Sequence, residues 1–123
     1  MSHTLLKSFS AGAAISAYRL VKFSAAETVI QATAATDSII GVANDVGAAS
    51  GERQDVVMQG IAWVEAGAAI SLGAFVTADA NGRGVASAPS AGTNNRILGV
   101  ALDAAGASGD QIRVLVDVGS YQG

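Results

Sequence analysis

The chain has 123 residues, half of them apolar and only 14% charged, with a formal net charge of −3 and no cysteine. That length suits one compact domain. The missing cysteine excludes disulfides and thiolate metal sites, and seven Lys and Arg residues scattered from Lys7 to Arg113 give no basic footprint for a nucleic-acid backbone. The longest apolar region, Ile61 to Ala78, is interrupted by Glu65, Gly67 and Gly73 and makes no membrane span.

The first segment, Met1 to Ser10, has one Lys and a broken apolar pattern, too weak for a secretory signal. It is expected to form an extended N-terminal arm over residues 1–10, anchored by Leu5, Leu6 and Phe9, whose removal would leave the rest folded. From residue 11 to 123 the pattern predicts a single β domain. Short β-rich runs, bounded mostly by Gly, Asn, Asp or Ser, occur at Tyr18 to Phe23, Thr28 to Ala32, Ile39 to Ala43 and Gln54 to Met58. The last run passes a bend or bulge at Gly60 and resumes with Ile61 and Trp63. Phe75 to Ala78 and Gly84 to Ala88 flank Asp79-Ala80-Asn81-Gly82, where Asn-Gly supplies the positive φ of a tight hairpin. A Ser/Gly/Asn-rich loop, Ser87 to Asn95, leads to Ile97 to Ala101. The chain closes on Ile112, Val114, Val116 and Val118, alternating with Gln111, Arg113 and Asp117 as a half-buried strand does. Glycines at 99, 106 and 109 break any helix in the Ala-rich stretch between. The fold class expected is all-β, a small β-sandwich or barrel.

The chain also repeats itself. Ala11-Gly12-Ala13-Ala14-Ile15-Ser16 recurs as Ala66-Gly67-Ala68-Ala69-Ile70-Ser71, and Ile39-Ile40-Gly41-Val42-Ala43 returns as Ile97-Leu98-Gly99-Val100-Ala101. Ala49-Ser50-Gly51-Glu52 returns as Ala107-Ser108-Gly109-Asp110. Partners lie 55 residues apart in the first pair and 58 in the others, which predicts two tandem pseudo-repeats, about 11–60 and 66–119, with an insertion in the Ser87 to Asn95 loop.

Neither copy carries a reactive set. His3 is the sole histidine, so a His dyad or multi-histidine metal site is excluded. Gly106-Ala107-Ser108-Gly109 departs from the nucleophile elbow because Asp110 fills its last place, and it precedes a strand, as a turn does. No phosphate-binding P-loop is present. Asp79 to Gly82 lacks the later Glu of a calcium loop. The paired acids Asp45 and Asp103, and Glu52 and Asp110, fall at loop positions and read as turn residues. No catalytic, metal or cofactor residue is predicted. Trp63 and Phe75 are expected as core or subunit-interface anchors; an exposed Trp63 would instead favour a ligand-binding or host-attachment module.

The order A-G-x-x-I-x-x-G-x-x-V (Ala66 to Val76), an Asp-x-x-Gly hairpin (Asp79 to Gly82), I-L-G-V-A-L-D-A-A (Ile97 to Ala105), Gly-Asp and a closing V-x-V strand resembles the capsid cement or decoration proteins of tailed bacteriophages. The resemblance covers roughly Gly12 to Gly119. It implies a small β-rich virion protein on the outer surface of the capsid, bound to the major capsid protein, commonly as a homotrimer, with no cofactor, nucleic acid or membrane partner. Some relatives bear a recombinase label, which the missing P-loop contradicts. In that setting Leu5, Leu6, Phe9, Trp63 and Phe75 are the candidate capsid or subunit contacts.

Overall fold

A computed structural model describes residues 4–89 and 91–122. Nine strands form the chain: β1 (Leu5–Ala11), β2 (Leu20–Ala25), β3 (Thr28–Gln31), β4 (Ile39–Ala43), β5 (Arg53–Glu65), β6 (Phe75–Ala78), β7 (Gly84–Ala86), β8 (Asn94–Ala101) and β9 (Gln111–Gln122). The expected all-β class holds. Strands β1, β3, β2, β4 and the first half of β5 close into a five-stranded barrel, and the second half of β5 continues into a sheet with β9, β8, β6 and β7. The two stretches expected on either side of Gly60 are thus one strand, with Gly60 at φ +106° where it passes from one sheet to the other.

His3 lies outside the described residues, but Leu5 to Ser10 does not project as a separable arm. It belongs to β1, antiparallel to β5 from Leu5↔Gln59 to Ser10↔Arg53 and parallel to β3 at Ser10↔Thr28 and Ala11↔Val29. Its last turn inward places Phe9 in the barrel core with Ile15, Val21, Val29 and Val56. Removing residues 1–10 would therefore open the barrel, contrary to the expectation that the remainder stays folded.

The repeated sequence segments occupy matching places. Ile15 bridges Ala48 in the barrel, and Ile70 bridges Ala105 in the second sheet. The backbone is left-handed at Tyr18 (φ +63°) and at Gly73 (φ +82°), 55 residues on, and again at Glu27 (φ +56°) and Gly82 (φ +75°). The glycine of each Ile-x-Gly-Val-Ala motif is forced by close approach. A Cβ on Gly41 would sit 2.3 Å from the Val57 carbonyl oxygen, and one on Gly99 1.8 Å from that of Leu115. Each lies at or beside an irregularity in its pairing, where only a bare backbone fits.

The second sheet is a barrel left ajar. Where the first closes with the Ser10 N–H donating to the Glu27 carbonyl at 2.9 Å, the corresponding gap holds the segment before and into β2. The Glu65 N–H donates to the Tyr18 carbonyl at 3.1 Å, and the Leu20 N–H to the Gly82 carbonyl at 2.8 Å. Between the halves, Glu65 Oε2 lies 3.4 Å from Arg19 Nη2 and 2.6 Å from Arg83 Nε. The Arg83 Nε–H is not aligned for a hydrogen bond, so that contact is an ion pair.

Candidate interaction surface

Cross-strand pairing puts four side chains of each half in a transverse row on one face, because directly opposed residues point the same way. In the first half the row is Leu6, Val57, Val42 and Leu20. In the second it is Ile61, Leu115, Val100 and Phe75. The positions correspond one to one under the 55- and 58-residue offsets.

Their environments differ. Leu20 and Val42 are fully buried and Val57 is 7% exposed, in one cluster with Ala62, Ala78, Leu98 and Val116 of the second half. In the second row Ile61 is 47% exposed, Leu115 44% and Phe75 42%. Trp63, two residues from Ile61 on the same face, is 49% exposed opposite Arg113. Tyr121 packs edge-on against Phe75 with ring centroids 5.3 Å apart. The face thus carries three part-exposed aromatics, Trp63, Phe75 and Tyr121, and exposed apolar faces of this kind are common at interaction surfaces.

Of the residues singled out from sequence, Trp63 and Phe75 share this face. Neither is in the core. Leu5 and Leu6 are half-exposed on β1, whereas Phe9 is buried, stacked edge-on with Phe23 at 5.4 Å and capped by the Lys7 ammonium 4.7 Å from its ring centre. Ile61, Leu115, Phe23 and Tyr121 were not singled out by sequence. A shallow groove of about 350 Å³ runs beside Trp63, lined by Tyr18, Asn44, Asp45 and Ile61.

The duplicated acids sit in turns. Glu52 accepts from the Ala49 N–H at 2.7 Å, and Asp110 from the Gly106 and Ala107 N–H groups at 2.9 and 3.2 Å. Asp79 accepts from the Asn81 and Arg83 N–H groups and shapes the β6–β7 hairpin. Asp103 takes two hydrogen bonds from the Arg113 guanidinium, at 2.8 and 2.9 Å, and a third from its backbone N–H. Those bonds hold its carboxyl down at about 2. Among the described residues no three metal-ligating side chains converge.

Residues 3–116 match the phage cement protein family. The chain belongs to that family. Among solved structures it is similar to the N base of the head fiber gp8.5 of bacteriophage phi29, with a TM-score of 0.70 at 21% identity over 94% of this chain and 95% of that one. No curated protein matches. At that identity the likeness to gp8.5 is one of fold. The cement family gives the chain its role as a capsid-decorating structural protein of the virion.

Proposed function

We propose that this cement protein sits on the outer surface of the head, contacts the major capsid protein across subunit boundaries, and acts as a homo-oligomer, with the trimer favoured. It is made in the host cytoplasm and has no enzymatic role. The observation that carries the reading is that a chain of the cement family leaves two apolar surfaces uncovered, Leu5 and Leu6 on β1 for the capsid and the row of Ile61, Leu115, Val100 and Phe75 for a subunit neighbour. Many modest contacts on a repeating lattice add by avidity, so a small protein of this kind resists expansion without any single strong site.

The repeated segments are read as two copies of one unit, supported by the matched bridges, left-handed positions and transverse rows. Leu5 and Leu6 are assigned to the contact with the capsid. Because β1 is a barrel strand, the test is Leu5→Glu with Leu6→Glu rather than a deletion. The doubly substituted chain should remain folded by circular dichroism and lose co-sedimentation with heads lacking the protein. Undiminished binding refutes the assignment.

A second reading, a ligand-binding or host-attachment module, is favoured by one observation. Trp63 is half-exposed beside a groove carrying Tyr18, Asn44 and Asp45, a combination of ring and hydrogen-bonding groups suited to sugars. It requires saccharides to shift the Trp63 fluorescence. An unchanged spectrum across a saccharide panel removes it.

A further inference from the structure

We infer that the exposed face of the second half is covered by the barrel end of a second copy of this chain, in a head-to-tail contact that reuses the two surfaces already joined inside the molecule. The inference rests on reading the two halves as copies of one unit. Inside the chain, the outer row Leu20, Val42 and Val57 is buried in one cluster with Ala62, Ala78, Leu98 and Val116 at one end of the second sheet. Each joined surface has an unjoined counterpart. The counterpart of the row is Phe75, Val100 and Leu115, with Phe75 and Leu115 open to solvent. The counterparts of Ala62, Ala78, Leu98 and Val116 are Lys7, Phe23, Ile40 and Met58 of the first half.

Of that second set Lys7 and Phe23 are open, while Ile40 and Met58 are partly buried against the barrel core. Phe23 is 49% exposed, and Lys7, Phe9, Phe23, Ala25 and Met58 line a broad concavity of about 480 Å³ at the barrel end. Its lining is mostly apolar, side chains of Phe, Ala and Met, and carries one ion pair, Lys7 to Glu27 at 3.0 Å, with the Lys7 ammonium over the Phe9 ring. The chain thus carries one unused copy of each half of its own internal joint. Phe75 and Leu115 of one molecule match Phe23 and Met58 of the next in apolar character, and the one charge in the barrel-end set, Lys7, is already paired with Glu27 at 3.0 Å.

The contact between chains is side-chain packing without the strand wedge of the internal joint. The gap that admits Tyr18 to Leu20 in the second half is closed in the first by the Ser10 to Glu27 hydrogen bond. Two different surfaces meeting make a heterologous contact, which closes into a ring or continues as an open array and never stops at a symmetric pair. Decoration of the capsid uses a separate surface, Leu5 and Leu6.

The chain lacks cysteine, so single cysteines report neighbours cleanly. Leu115→Cys and Met58→Cys chains are purified separately, then mixed under mild oxidation. Cross-linked pairs should appear in the mixture and be absent from either variant alone. Light scattering of the unsubstituted chain should give a multiple of 12.1 kDa larger than a dimer, and Leu115→Arg should fall to 12.1 kDa while keeping its circular dichroism. A 12.1 kDa unsubstituted chain, a dimer, or efficient Leu115→Cys self-pairing overturns the inference. Co-sedimentation of the Leu115→Arg chain with heads separates the two proposals, because a monomer that still binds leaves decoration by Leu5 and Leu6 standing, and loss of binding in an oligomeric Leu5→Glu, Leu6→Glu chain leaves the head-to-tail contact standing.

Discussion

Gly99→Ala is the substitution in which the repeated motif, the sheet geometry and the exposed face all meet. The added Cβ would fall 1.8 Å from the Leu115 carbonyl oxygen, 2.8 Å from its carbon and 3.1 Å from the Asp117 nitrogen, all backbone atoms. Backbone cannot swing aside as a side chain can, so β8 and β9 must separate by more than an ångström where Val100 faces Leu115. Overpacking of this kind costs about 1–3 kcal/mol. With backbone on all three sides the upper end applies, about 3 kcal/mol, which lowers Tm by roughly 12 °C in a domain of this size. Gly106→Ala is the control, because its Cβ would meet only Asp110 Oδ2 at 3.6 Å. That change should fall within about 0.5 kcal/mol of the parent. Urea denaturation followed by circular dichroism measures both. A Gly99→Ala chain as stable as the Gly106→Ala chain would refute the argument that close strand approach fixes this glycine.

Glu65→Ala removes the one carboxylate between Arg19 and Arg83 and leaves two part-buried guanidinium groups facing each other; the expected loss is about 2 kcal/mol, against less than about 0.5 for Lys7→Ala at the exposed Lys7–Glu27 pair. Equal costs in urea titrations would contradict this. For Asp103, a folded pKa of about 2 lies below the ordinary 3.8. Its stabilisation is therefore complete above pH 3.8 and is lost as pH falls through about 2. Carboxyl carbon shifts in an NMR titration should show that midpoint move up toward 3.8 in Arg113→Ala, and an unmoved midpoint rules out the guanidinium as its cause.

Much of the fold was legible because strands with one buried face alternate. Ile112 to Val118 and the Asp79 to Gly82 hairpin announce themselves in this way. β1 did not, because Leu5-Leu6-Lys7-Ser8-Phe9 has no alternation and its partner, the first half of β5, lies some 50 residues away. Its likeness to the second half of β5 was also hidden. Leu6, Ser8 and Phe9 stand where Ile61, Trp63 and Val64 do, positions that share pairing but not letters. The surface was half legible. Trp63 drew notice as the lone tryptophan, but Ile61-Ala62-Trp63-Val64 is apolar at every position, so periodicity could not say which face was buried. Leu115 was invisible for a different reason. Its counterpart Val57 is in the core, and only the packing of one half upon the other shows that the same position is covered once and open once.

This chain is a cement protein, and a cement protein works through surface contact with the capsid. Heads lacking the protein, incubated with purified chain and recovered by sedimentation, test this contact most directly, with heat-induced DNA release as the second readout. Binding should be saturable at a fixed ratio to the major capsid protein, and decorated heads should release DNA at a higher temperature than bare heads. Heads that recover no chain, or that bind it and release DNA at the same temperature as bare heads, would contradict it.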